Sequence, residues 1–283
     1  VDLRTQISGL DTMRIALAQN ALLLFRKLRQ AAPPLTYVLY ARPITNNGCS
    51  IKGFISMNFN ERIKIVCCDY YMTLVELRKP FERIQRWITD YLSVNCSEVD
   101  IKRFNSRFTR NRAVIAADDS FMLGIDILAE CLDRTCKSFG ISGFCCEFLP
   151  YVEDIFRNTN AYPDAHLLIN QLQKDYKVGL LTNADNYLLE ESVKDLEFEF
   201  DFIITSEDAR CNKPGNRIFE YAMEKLSIRN DELIMIGDSQ NDDIFGAGEM
   251  GISSIWVNRN DEALRDGVVP PLRIVKNLVN ILD

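Results

Sequence analysis

The sequence predicts an α/β fold: a Rossmann-like, three-layer core around a parallel sheet, with an α-helical cap inserted into it. Three observations carry that prediction. Five short apolar runs recur from residue 63 onward, each ending in a polar residue. Helix-patterned segments separate them, and apolar runs alternating with helices indicate a parallel sheet buried on both faces. Between the first two runs lies a long stretch with helical patterning and no strong strand signal, which reads as a second domain.

Taken in order, the runs are Ile63 to Cys68, ending at Asp69; Lys177 to Leu181, ending at Thr182 and Asn183; Phe202 to Ile204, ending at Thr205 and Ser206; Leu233 to Ile236, ending at Gly237 and Asp238; and Ser254 to Val257, ending at Asn258. Within the long stretch, Pro80 to Leu92, Val99 to Arg107, Asp118 to Phe139 and Phe144 to Arg157 have helical spacing. Residues 79–159 are therefore assigned to the helical cap, and 57–78 with 160–283 to the core. The linkers fall near Leu77 to Pro80 and Thr159 to Pro163. Residues 1–56 read as a separate N-terminal extension. There Leu10 to Gln30 is helix-patterned with a basic end, Pro33 and Pro34 stop it, and Leu35 to Tyr40 reads as a short strand. Met57, just before the first convincing strand, is a candidate start.

At 283 residues the chain has room for roughly two domains of about 150 each. Its 47% hydrophobic and 26% charged residues are ordinary globular composition, which excludes a disordered, collagen-like or coiled-coil chain. Thirty-three basic against 40 acidic residues give a net charge of −7, so no nucleic-acid partner is expected. No uncharged apolar run reaches the ~18–20 residues of a membrane span, so no membrane partner is expected either. Nine cysteines without a C-x-x-C pair, beside the single His166, argue against structural zinc. Free thiols imply a reducing, cytoplasmic setting. Nothing in the sequence signals an oligomeric state.

Ligands of open parallel sheets bind at the carboxyl ends of the strands. The residues expected there are Asp69, Thr182, Asn183 and Asp238, with Lys213 in the loop after the third run. Two carboxylates, a hydroxyl and an amine around one crevice make a chemical site. Neighbouring carboxylates require a proton or a cation between them, and Mg²⁺ suits sparse oxygen ligands and phosphate. Each residue also has a plainer reading. An aspartate at a strand end can cap a helix or form a turn. A lysine usually faces solvent. Asp242 and Asp243 could cap the helix that follows them.

Four segments in order carry a resemblance. They are Asp69-Tyr70-Tyr71-Met72-Thr73-Leu74; Leu180-Leu181-Thr182-Asn183; Lys213-Pro214 followed by Ile218-Phe219; and Gly237-Asp238 through Asp243 to Gly248. In this order they resemble the haloacid dehalogenase superfamily of aspartyl-nucleophile hydrolases, over about residues 62–283. The resemblance implies that Asp69 is the nucleophile and forms a covalent ester. It implies Mg²⁺ held by Asp69, the backbone carbonyl of Tyr71, Asp238 and Asp243. Thr182 and the backbone N–H of Asn183 would grip phosphoryl oxygens. Lys213 would neutralise charge moving onto Asp69, and Thr73 would order the first loop.

Tyr71 departs from the phosphatase pattern, which places a second aspartate there as general acid and base. As a catalytic residue Tyr71, with a tyrosine's pKa of about 10, could donate a proton but is a poor base at neutral pH, and losing acid–base help costs about 10²–10⁴ in rate. The family's haloacid dehalogenases carry a tyrosine at that position, but they have a serine where Asp238 stands and a tyrosine where Phe219 stands. Met72 replaces the usual Gly or Asp. The leading expectation is a Mg²⁺-dependent phosphatase acting on a small anionic monoester. The alternatives are metal-free 2-haloacid hydrolysis and a catalytically impaired binding protein. Arg103, Arg107, Arg110 and Arg112 form a basic cluster that could meet the substrate, with Arg107 chosen from it; a solvated face is the plainer reading.

Overall fold

The computed structural model describes residues 59–116, 120–142 and 145–282. The expectations for residues 1–56, the start at Met57 and the helix starts at Asp118 and Phe144 lie outside them. Six parallel strands form the central sheet. They are β1 (Ile65–Cys68), β4 (Lys177–Thr182), β5 (Phe202–Thr205), β6 (Leu233–Gly237), β7 (Ser253–Val257) and β8 (Arg273–Val275), in the order β5-β4-β1-β6-β7-β8.

Side chains alternate across the pleat, so a strand buried on both faces must be apolar throughout. In β1, Val66 and Cys68 face one apolar layer with Leu168 and Leu189, while Ile65 and Cys67 face another with Ile218 and Phe219. That makes three layers and a Rossmann-like core. β1 lies between β4 and β6, with Cys68 opposite both Leu180 and Ile236. The register brings Asp69, Thr182 and Asp238 out at one edge of the sheet.

The sequence missed β8 and two short strands. β8 is a partly exposed edge strand without an apolar run. β2 (Val75–Glu76) and β3 (Asn160–Ala161) have two residues each and pair antiparallel with one another. Through this pair the chain leaves the sheet and returns to it.

Between them lie four helices: α1 (Pro80–Asn95), α2 (Ile101–Ala116), α3 (Gly124–Ser138) and α4 (Cys145–Arg157). Pro80 opens α1, where its missing N–H costs nothing. Ile84, Ile88 and Leu92 recur every fourth residue and are buried. At the start of α2, Asp100 Oδ1 accepts from the Arg103 N–H at 3.0 Å. The four helices share a core of their own that includes Phe104, Phe108, Leu132 and Phe148. Cys131 and Cys136 are buried in it and form no disulfide.

In the remainder, α5 (Ala165–Leu172), α6 (Asn186–Asp195), the short α7 (Ser206–Ala209) and α8 (Asn216–Leu226) follow strands, and a π-helical turn (Gln240–Phe245) follows β6. His166 lies on α5 and stacks on Phe198 with centroids 4.2 Å apart. No helix of the described residues is long and apolar enough to cross a membrane.

Candidate functional site

Lys213 is the hub of the candidate site. It is 3% exposed, and its ammonium donates to Asp69 Oδ1 at 2.8 Å, Asp243 Oδ1 at 2.6 Å and the Leu181 carbonyl at 2.7 Å. Those bonds use all three of its donors. Burial alone would lower its pKa, but the Asp243 and Asp69 carboxylates outweigh burial and hold it well above the ordinary lysine value. Its backbone is fixed as well: Lys213 N donates to Asn183 Oδ1 at 2.7 Å, and Asn183 Nδ2 donates to the Lys213 carbonyl at 3.0 Å. The Asn183 side chain is thus committed to Lys213.

Asp69, Asp238 and Asp243 converge, each with a carboxylate oxygen within 4.8 Å of the others. Burial and the Asp69 charge push Asp238 up to about 7. Burial, offset in part by Lys213, carries Asp243 up to about 8. The π-helical turn delivers Asp243 inward, where its Oδ2 accepts from the Ser239 N–H at 2.9 Å. Gly237 makes room for it, since a Cβ there would sit 2.1 Å from Asp243 Oδ2.

Thr73 is fully buried and tied to Asp238 in both directions. Its hydroxyl donates to Asp238 Oδ1 and accepts from the Asp238 N–H, each at 3.0 Å. It therefore orders the fourth motif as well as its own loop. Met72 sits at φ 66°, the left-handed region that favours glycine and costs other residues about 1–2 kcal/mol. The loop keeps that turn with its N–H donating to the Val75 carbonyl at 2.7 Å.

The donor set fits a divalent cation. Three carboxyl groups share a buried space with one ammonium; their crowding raises Asp238 and Asp243, and a divalent cation on these hard oxygens would take the place of the protons they hold. The Tyr71 carbonyl accepts no hydrogen bond among the described residues, so it is available as a further ligand. Thr182 is 1% exposed and its hydroxyl has no partner, as an oxyanion-binding donor would.

Two expected residues stand elsewhere. The Tyr71 hydroxyl donates to the Phe156 carbonyl at 3.2 Å, and its ring lies edge-on to Tyr70 and Phe156. Burial raises its pKa, so it is set up neither as acid nor as base toward Asp69. Arg107 is exposed on α2, because Phe104 and Phe108 take the buried face of that helix. The arginine that lines a cavity is Arg112, one turn further on.

That cavity, of about 420 Å³, is bounded by Tyr71, Asn183 and Asp185 on the core side and by Phe81, Arg112 and Ile125 on the helical side. Asp185 was not foreseen. Its Oδ1 and Oδ2 accept from the Gly124 and Ile125 N–H groups at 2.7 and 2.9 Å, so a core residue caps α3. In sequence it reads as the cap of its own helix, α6, and nothing local points to α3.

The haloacid dehalogenase-like hydrolase family model matches residues 128–257. A glyceraldehyde 3-phosphate phosphatase of Methanothermobacter thermautotrophicus is 35% identical over 104 residues, 36% of this chain and 46% of that protein. A (S)-2-haloacid dehalogenase of Burkholderia cepacia is 28% identical over 107 residues, 37% of this chain and 46% of that protein. The chain thus spans under half the length of these relatives. Among solved structures, the HAD-hydrolase YfnB of Bacillus subtilis, bound to magnesium, aligns with a TM-score of 0.61 at 17% identity. The alignment covers 78% of this chain and 97% of that one.

Proposed function

Because the chain belongs to the haloacid dehalogenase superfamily, we propose that it hydrolyses a small phosphate monoester through an aspartyl-phosphate on Asp69, in a Mg²⁺-dependent reaction. The observation that carries this reading is the trio Asp69, Asp238 and Asp243 around Lys213, with the orphaned Thr182 hydroxyl beside it. Three converging carboxyl groups beside a single ammonium suit a cation and, through it, a phosphoryl group. They would repel a bare carboxylate substrate.

When bound, Mg²⁺ would supply positive charge to the phosphoryl oxygens and orient them. It would be held by Asp69, Asp238, Asp243 and the Tyr71 carbonyl. The chain's own residues do the rest. The carboxylate of Asp69 attacks phosphorus, the bond to the leaving oxygen breaks, and the leaving group departs as its alkoxide or takes a proton from water. Lys213 stays bonded to Asp69 Oδ1 and offsets charge as the bond forms. Thr182 donates to a phosphoryl oxygen. Water then attacks phosphorus, releasing phosphate and restoring the carboxylate. The substrate is a small anionic molecule rather than a nucleic acid or membrane, and the buried thiols suit a cytoplasmic setting.

Tyr71 favours a second reading, the metal-free hydrolysis of a 2-haloacid, whose halide needs no proton to leave. Phosphate release from a panel of phosphomonoesters, with Mg²⁺ and with chelator, separates the two. Mg²⁺-dependent release that is lost in Asp69→Asn is the expected result. Halide release insensitive to chelator would overturn the phosphatase reading.

A further inference from the structure

The cavity beside Asn183 carries a cation that the proposed reaction does not use. Its walls are mainly apolar, with Phe81, Ile125, Leu128, Phe156 and Leu188 among them. Its carboxylate, Asp185, is already spent on the α3 backbone. The Arg112 guanidinium lies over the Phe81 ring at 3.7 Å to the centroid, half-buried. Such a stack occupies the flat face and leaves the in-plane N–H fork free. Among the described residues no carboxylate is within ion-pairing distance of Arg112 and no hydrogen bond uses its N–H groups. Arg103, Arg107 and Arg110, on the same helix, are exposed.

A cation on an apolar wall is costly unless an anion meets it. The partner that matches a guanidinium fork is a two-oxygen anion, a carboxylate or a phosphate. The walls are mainly apolar, and of their polar residues Asn183 is committed to Lys213 and Asp185 to the α3 backbone, so the portion of ligand between the charged ends is largely apolar. We propose that Arg112 is a specificity-determining residue for a substrate that bears a second oxyanion on an apolar body, besides its phosphoryl group. The inference rests on the phosphatase reading for the reacting end alone.

Three esters test it on the full chain with Mg²⁺: phenyl phosphate, 4-carboxyphenyl phosphate and 1,4-phenylene bisphosphate. The native chain should prefer at least one of the two charged esters over phenyl phosphate by tenfold or more in kcat/KM. Which one it prefers tells carboxylate from phosphate. Arg112→Ala should erase that preference through KM, and Arg112→Lys should keep part of it. A merely structural arginine would lower all three in proportion and leave the ratio intact, which overturns the inference, as does a native chain that treats the three alike. Calorimetry with the same esters covers the case of no turnover. An Arg112-dependent preference in binding alone retains this inference while the phosphatase reading fails; no preference in binding overturns it.

Discussion

At the strand ends, Lys213 places its three donors on Asp69, Asp243 and the Leu181 carbonyl. Across the cavity, Arg112 places none on an acceptor among the described residues and rests on Phe81. Both are cations drawn in from solvent, Lys213 fully and Arg112 by half, and they are held differently. Lys213 belongs to an internally bonded network of carboxyl groups, the centre to which the proposed reaction is assigned. Arg112 is held by packing, with its donors left for something that arrives. On the proposed reading, the region around Lys213 does the chemistry and Arg112 selects the substrate.

The largest effect should come from breaking the paired region. Lys213→Met leaves Asp69 and Asp243 buried without their counter-charge, and losing one partner of a buried ion pair costs about 3–5 kcal/mol. Urea unfolding at pH 8 should show that loss, and an unchanged midpoint would mean the network contributes nothing to folding. Turnover should fall as well, since no cation remains to offset charge at Asp69.

Tyr71→Asp sharpens the contrast from the other side. It places a carboxyl of suitable pKa where the phenol now donates to Phe156. General acid–base help is worth about 10²–10⁴ in rate. Phosphate release should rise, most for esters with poor leaving groups. A fall across the whole series would show that the native tyrosine is needed where it stands.

The pH response should distinguish the acidic centre from ordinary surface charge. Asp238 and Asp243 are raised to about 7 and 8, against about 3.9 for an unfolded aspartate. Between those limits the folded chain holds more protons than the unfolded one. By linkage its stability therefore falls as pH rises from about 4 to 8 in the absence of metal. Mg²⁺ competes with those protons, so its stabilising shift in Tm should be larger at pH 8 than at pH 5.5. Equal shifts at both values would argue against a metal at this centre.

The smallest effect is reserved for Arg107→Ala. Exposed on α2, it should change stability by no more than about 0.5 kcal/mol and leave KM for any charged ester where it was. An increase in KM like that of Arg112→Ala would mean that the exposed arginines also meet substrate.

Much of the fold was legible in the sequence. Parallel strands buried on both faces need an apolar run, and β1, β4, β5, β6 and β7 each carry one. The helices between β2 and β3 showed themselves through residues such as Ile84, Ile88 and Leu92. β8 stayed hidden because an edge strand needs no such run. In the site, Asp69 and Asp238 stood out because polar residues after apolar runs mark strand ends, and Lys213 because Lys213-Pro214 falls in order among the four motif segments. Arg107 was chosen over Arg112 because one sequence does not give the rotation of a helix against its neighbours.

What the sequence determined by itself was the sheet, its strand-end acids and the order of the motifs, since apolar periodicity and turn chemistry are local. Only the tertiary structure decided the rest. Asp185 caps α3, the Tyr71 hydroxyl is given to Phe156, Gly237 admits Asp243, and Arg112 rather than Arg107 lines the cavity. Each of these depends on two segments far apart in the chain meeting within a few ångströms. Packing sets that distance, and no local pattern encodes it.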